Sequence, residues 1–461
     1  MPQWLSLWRR EAVPTLLLAG PLVVAQLLQV GMGFIDTVMA GRINAEVLAA
    51  VGLGSSLWNL MLLACIGATL AISPLVAHLN GAGDEQAIAG EFQQGLWVAI
   101  LVGLVAVPLT YGLAAALPLL NVDPEIAPLA GDYLRVSAWG MPGLCLYLAP
   151  RYLNEGLSNT KPAMLVQSLL LPLNVLGNYL FMFGDFGITP MGASGAALST
   201  AIGLWLGALM MFAYLWRGKR FRPLALFQNF AGPRPKEIWR ILKLGLPIAV
   251  AIIMEVGMFS AVAIMMGSLG KVEMAAHQIA LNYAAMMFML PLSISQAITI
   301  RVGHAAGAGD LRLAIVRGQQ GVVMAGGIMA LSATMLLLFP ELIVALYTND
   351  AAVANMAMSL LFAAALFQFS DGLQVSASGA LRGLKDTAVP MFITMFAYWV
   401  VGFPFAWYIG IQLAVGPQGL WGGLAVGLTT AAVLLNLRFY LLGRKKIATA
   451  AGKVTDPVGD V

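Results

Sequence analysis

The chain has 461 residues, 60% of them hydrophobic and only 10% charged, with a formal net charge of +4. A soluble domain carries about 25% charged residues, so a water-facing surface is excluded and the bilayer is the natural solvent. Cys65 and Cys145 sit singly in apolar runs, which excludes a cysteine metal site or a disulfide framework, and so small a net charge gives no reason to expect nucleic acid as a partner.

A bilayer core needs about 20 apolar residues per helix. Twelve spans are expected, over 14–40, 47–77, 94–118, 127–149, 163–184, 192–216, 240–266, 275–300, 318–340, 353–380, 388–411 and 418–442. The apolar run after Arg9 and Arg10 continues without a small-residue cleavage site, so it reads as a retained first helix. The breaks fall on turn chemistry such as "NGAGDE", "NVDPE", "GDFGITP", "AAGAGD" and "GLKDTAVP". Loops on the side of the termini hold Arg151, Lys161, Arg301, Arg312, Arg317, Arg382 and Lys385, whereas the other side holds only Arg42, Arg135 and Lys271. The positive-inside rule therefore places both termini, and the basic link after the sixth span, in the cytoplasm. On this reading essentially no Lys or Arg is placed well inside a span.

The two halves match at an offset of 226 to 227 residues. "GPLVVAQLLQVGM" (20–32) meets "LPIAVAIIMEVGM" (246–258), "GAGD" recurs at 81–84 and 307–310, and "GLSNT" (156–160) meets "GLKDT" (383–387). Each half has an even number of spans, so the repeat is parallel and its axis runs along the membrane normal. The expected organisation is a six-helix bundle over 1–216, a basic linker over 217–239, a second six-helix bundle over 240–442 and a tail over 443–461. A cleft between the bundles is the expected site and moving part. Pro21 and Pro247 occupy equivalent places inside spans, where proline removes a donor and kinks the helix, and both are candidate hinges.

Asp36, Glu255 and Asp371 are the acids best placed inside spans, the rest sitting in loops or near span ends. Such groups are costly in lipid and mark functional sites. Gln26, Gln29 and Asp36 share about 80° of arc on the first span, and Gln368, Asp371, Gln374 and Ser378 about 120° on the tenth. Gln278, Asn282 and Gln296 share a face of the eighth with Met289, and Gln167, Asn174, Asn178 and Asp185 form a stripe on the fifth. A desolvated carboxylate takes a proton readily; it also coordinates Na⁺ or pairs with a cationic ligand. The amide oxygens of Asn174 and Asn178 beside Asp36, or the pair Glu255 and Asp371, would hold Na⁺. Competition of two cations for one carboxylate is the minimum physics of an antiporter. The 25 methionines suit a ligand of variable shape, and Phe288, Tyr283, Tyr398 and Trp399 offer aromatic faces to organic cations.

With its parallel six-plus-six repeat, "GMGFIDTVMAG", "LNGAGD", "AAHQIALN", "FQFSDGLQ" and "GALRGLKDT", the chain resembles the multidrug and toxic compound extrusion (MATE) family, in its NorM-like branch. The resemblance covers nearly the whole length. It implies the all-α MATE fold of twelve transmembrane helices, a bacterial inner membrane location, no cofactor, and export of amphipathic, mostly cationic drugs, dyes and fluoroquinolones in exchange for H⁺ or Na⁺. It further implies roles for Asp36 with Asn174 and Asn178 in the first bundle and for Glu255 and Asp371 in the second. Gln29 and Ser56 match positions of ligand contact, and Phe288 stands where some relatives have Tyr. A monomer is expected. Three other readings remain: a lipid-precursor flippase of the same superfamily, which the lack of basic residues in spans opposes; a channel; and an intramembrane serine enzyme. For the last, "GASG" (192–195) would be the motif, yet its repeat partner "GLWG" (419–422) lacks Ser.

Overall fold

The computed structural model describes residues 3–120, 123–184, 187–228 and 230–454. Asp185 of the fifth-span stripe and the tail beyond 454 lie outside the described residues. Lipid offers no partner to backbone N–H and C=O groups, and the chain accordingly folds as helices: α1 (Gln3–Gly41), α2 (Ala45–Leu70), α3 (Ile72–Ala82), α4 (Glu85–Ala116), α5 (Ile126–Ala138), α6 (Gly140–Gly156), α7 (Lys161–Gly177), α8 (Ala193–Arg217), α9 (Pro235–Leu269), α10 (Lys271–Gly307), α11 (Leu311–Leu338), α12 (Pro340–Ala345), α13 (Ala351–Gly383), α14 (Ala388–Met395), α15 (Phe403–Trp407) and α16 (Pro417–Val454).

Among the described residues, eleven stretches are long and apolar enough to cross a bilayer. The remaining expected span, 127–149, is two helices, α5 and α6, that break at Trp139. Pro142 has no N–H for the carbonyl of Ala138, and the indole N–H of Trp205 donates to the carbonyl of Trp139 at 2.9 Å. With this broken element the spans number twelve. Several helices also outrun the expected spans. Arg301 lies inside α10, Arg382 in the last turn of α13 and Arg151 inside α6, so the expectation that basic residues stay in loops is corrected. Charged residues end an apolar run in the sequence, but they do not end a helix.

The duplication is visible in the backbone. Gly83 and Gly309 take φ of +72° and +81°, closing α3 and α10 before Asp84 and Asp310. Those carboxylates cap the next helices, accepting from Ala87 N–H at 3.0 Å and Leu313 N–H at 2.8 Å. Ser158 and Lys385, equivalent residues of "GLSNT" and "GLKDT", hold φ of 58° and 61°, which side chains other than glycine rarely adopt. Just before them, a Cβ on Gly156 would meet Val76 Cβ at 2.7 Å, and one on Gly383 would meet Val302 Cβ at 2.8 Å. The same absent side chain admits the same close helix approach twice.

The chain forms two compact units, Pro21–Val250 and Met1–Gly20 with Ala251–Val461. These bounds differ from the 1–216 and 240–442 bundles expected. The continuous helices α1 and α9 change unit at Gly20/Pro21 and at Val250/Ala251. In the first of these units, buried Met39, Val51, Tyr133, Leu134 and Met182 pack together. The basic linker is seated on α4: Gln93 Nε2 donates to the carbonyl of Leu226 (3.1 Å), Gln94 Nε2 to that of Gly232 (3.1 Å) and Trp97 Nε1 to that of Ala231 (3.1 Å). In the other unit, Met258, Val262, Phe367, Tyr398 and Trp421 belong to one buried cluster.

Candidate functional site

In the unit Pro21–Val250, α1 brings Asp36 to α7 and α8. The carboxylate is buried, at 8% exposure. Asn178 Nδ2 donates to Asp36 Oδ1 at 2.6 Å, and Thr200 Oγ1 donates to Oδ2 at 3.4 Å. The Ser199 hydroxyl donates to the carbonyl of Asn174 at 3.0 Å. Asn178 opens a π-helical turn, Asn178–Met182, a widening that often marks functional sites. The side-chain oxygens of both Asn174 and Asn178 are buried and accept no hydrogen bond. Buried polar atoms nearly always have partners, and an amide oxygen is only an acceptor. Two such oxygens near a carboxylate form an oxygen-only donor set of the kind that suits hard cations. Thr200 is the residue that the sequence reading missed. Its signal was present: with Ser199 it is a hydroxyl pair within an otherwise apolar stretch of α8.

In the other unit, α9, α13 and the turn after α14 gather a different set. Gln374 Nε2 donates to Tyr398 OH at 2.5 Å and reaches Glu255 Oε2 at 3.4 Å. Asp371 is 5% exposed, and its Oδ1 accepts no hydrogen bond, nor does Oε1 of Gln374. Tyr398 and Trp399 lie on a π-helical turn, Phe396–Gly402. The Trp399 indole donates to the carbonyl of Met254 at 3.1 Å, fixing α9 one residue before Glu255. Glu255 and Asp371 are electrostatic neighbours of each other and of Tyr398. Glu255 also feels Arg382, whose guanidinium donates to Ser295 Oγ at 2.8 Å.

The structure thus brings together Asp36, Asn174 and Asn178, and separately Glu255, Asp371 and Tyr398. Of the remaining candidates, Gln374 joins the second set through Tyr398 and Glu255. Gln29 accepts from Gln167 at 3.5 Å, and Ser56 bonds only to the Gly52 carbonyl of its own helix, at 2.7 Å. Gln278 and Asn282 are exposed on α10, Gln278 in a groove of about 490 Å³ that Lys271 also lines. Phe288 is half-buried on the same helix. Gln368 accepts from Ser332 at 3.0 Å. Among the described residues no group of three or more His, Cys, Asp or Glu could hold a metal ion.

The MatE family model matches residues 21–180 and 247–408, once in each repeat. The chain is 44% identical over 445 residues to a probable multidrug resistance protein NorM of Xanthomonas campestris pv. campestris, covering 96% of each. It is 40% identical over 443 residues to the multidrug resistance protein MdtK of Yersinia pseudotuberculosis, covering 95% of this chain and 97% of that one. Among solved structures, a MATE transporter in its bent conformation superposes with a TM-score of 0.87 at 19% identity, over 95% of this chain and 96% of that one. The eukaryotic MATE transporter AtDTX14 does so with a TM-score of 0.84 at 20% identity, over 97% and 99%. With two family matches set on its two repeats and relatives alike from end to end, the chain belongs to the MATE family, as a NorM-like multi-pass membrane protein.

Proposed function

We propose that this protein is a multidrug efflux antiporter. It exports amphipathic organic cations, such as dyes and fluoroquinolone-type drugs, in exchange for H⁺ or Na⁺ across the bacterial inner membrane, with both termini in the cytoplasm. The carrying observation is Asp36 at 8% exposure beside two buried amide oxygens that accept nothing. One incoming ion neutralises the carboxylate there and so weakens its hold on a cationic ligand. Glu255 and Asp371 form the second ion set, and alternating exposure of the two bundles converts the exchange into transport. Pro21 and Pro247 serve as hinges in this reading, which the change of unit at Gly20/Pro21 and Val250/Ala251 supports. Covalent chemistry, a cofactor and a second copy of the chain play no part in it.

The flippase alternative needs buried positive charge for a phosphate. Arg151 and Arg301 are buried, but Glu155 and Glu11 hold them, which favours cationic cargo. The test is ethidium efflux from proteoliposomes under a pH gradient and a Na⁺ gradient imposed separately. Uphill movement under either gradient, lost in Asp36→Asn, is the expected result. Movement only down the ethidium gradient, or uphill movement undiminished in a well-folded Asp36→Asn protein, would overturn the reading.

A further inference from the structure

Four charged positions of the two repeats correspond across an offset of 226 residues: Glu11 with Glu237, and Glu91 with Arg317. All four sit near helix ends on the basic side of the chain. In the unit Met1–Gly20 with Ala251–Val461, Glu11 accepts from Arg317 Nε at 2.9 Å and from Arg301, which also donates to the Glu11 carbonyl and the Thr15 hydroxyl. In the unit Pro21–Val250, Arg240 pairs with Glu91 and, at 2.9 Å, with Glu237. The first cluster joins α1 to α11, and the second joins α9 to α4. Each therefore ties the first span of one repeat to the third span of the other, with the signs of the charges exchanged. Other ion pairs, Asp132–Arg135, Arg151–Glu155 and Asp386–Arg438, stay within one repeat.

We propose that these clusters are paired locks, which hold the two repeats together at their basic ends and must both open before the repeats part there. The pairing of equivalent spans in both directions supports this, each cluster joining spans of different repeats inside one compact unit. The depth of the clusters supports it too. Arg317 lies six residues into α11 and Arg301 six residues from the end of α10, about 9 Å from either helix end. Charges parted at that depth reach water, so release is feasible. The locks are unequal. Glu11 and Arg301 are 9% and 8% exposed, whereas the Arg240 side chain is 53% exposed. Exposed pairs hold weakly and buried ones are strongly disrupted by loss of a partner, so the Glu11 cluster is the firmer lock.

The lock rests on the exchange reading above. Its test is the distance distribution between nitroxide labels on Gln86→Cys and Arg312→Cys, measured by electron–electron resonance on the full chain in lipid nanodiscs. The background carries Cys65→Ser and Cys145→Ser. Residues 86 and 312 are exposed and equivalent in the repeats. Glu11→Gln should raise the long-distance population about tenfold. Arg317→Gln, which leaves Arg301 in place, and Arg240→Gln should raise it less, and Arg240→Lys should restore the parent distribution. Arg317→Gln and Arg240→Gln carry the test if Glu11→Gln fails to fold. Folded Gln variants that keep the parent distribution would overturn the proposal. No gradient or ligand enters the measurement. Distances that shift in a chain that exports no ethidium leave the lock and remove the exchange reading; unchanged distances in a chain that exports it do the reverse.

Discussion

The two carboxylate sets stand on duplicated scaffolds yet are built differently. Asp36 is a single carboxylate among neutral groups, held by Asn178 and Thr200 with two amide oxygens left over. Glu255 and Asp371 are two carboxylates that neighbour each other, with a phenol, a glutamine and the Arg382 guanidinium about them. The comparison teaches that duplication preserved the turns and close helix contacts while the ionisable chemistry diverged. One half offers a lone carboxylate beside free amide oxygens, and the other two carboxylates beside a phenol and a glutamine.

Removing the lone charge should have the largest effect. Asp36→Asn is expected to lower gradient-driven ethidium export by at least about tenfold, within the range of ordinary coupling energies, at unchanged expression and melting temperature. The paired site should respond less to any single change. Glu255→Gln and Asp371→Asn should each reduce export several-fold, and the double variant should be little worse than either, because residues sharing one ion are not additive. Full additivity would break the contrast between one site and two. A finer test uses the free oxygens. Asn174→Ala and Asn178→Ala should weaken Na⁺-driven export by about tenfold and leave proton-driven export nearly intact; equal losses under both gradients would remove the oxygens from ion binding. On the scaffold shared by both halves, Gly156→Ala and Gly383→Ala should each destabilise by about 1–3 kcal/mol through overpacking, read by thermal unfolding in detergent. Unequal losses would show that the matched contacts are not energetically matched. The smallest effect is expected for Gln278→Ala and Asn282→Ala, exposed on α10, with export within about twofold of the parent.

Much of this was legible in the sequence, since apolar length, the repeat offset and charge rarity each have a direct physical meaning. The three carboxylates follow from lipid's intolerance of charge; Asp36 and Glu255 meet side-chain amides within their units, and Asp371 is buried. What was not legible depends on where helices end and how they meet. Arg301 and Arg382 looked like loop residues because a charge interrupts an apolar run, although a guanidinium inside a helix is stable once a carboxylate or hydroxyl receives it. Thr200 found Asp36 only through the packing of α8 beside α1. Pro142 did signal the break at Trp139, but an apolar stretch of the right length outweighed it. The change of unit inside α1 and α9 has no signal in periodicity, because a helix pattern says nothing of which neighbour receives each end.

The segment joining the duplicated halves is bolted down by Gln93, Gln94 and Trp97 over 226–232, and Arg220 bonds to the carbonyl of Leu157 at 2.8 Å before it. Its described residues form a bracket seated on one helix rather than a free tether. A reporter domain spliced into it would prise a folded piece off α4 rather than ride on loose chain, so a tag meant to leave the protein undisturbed belongs elsewhere.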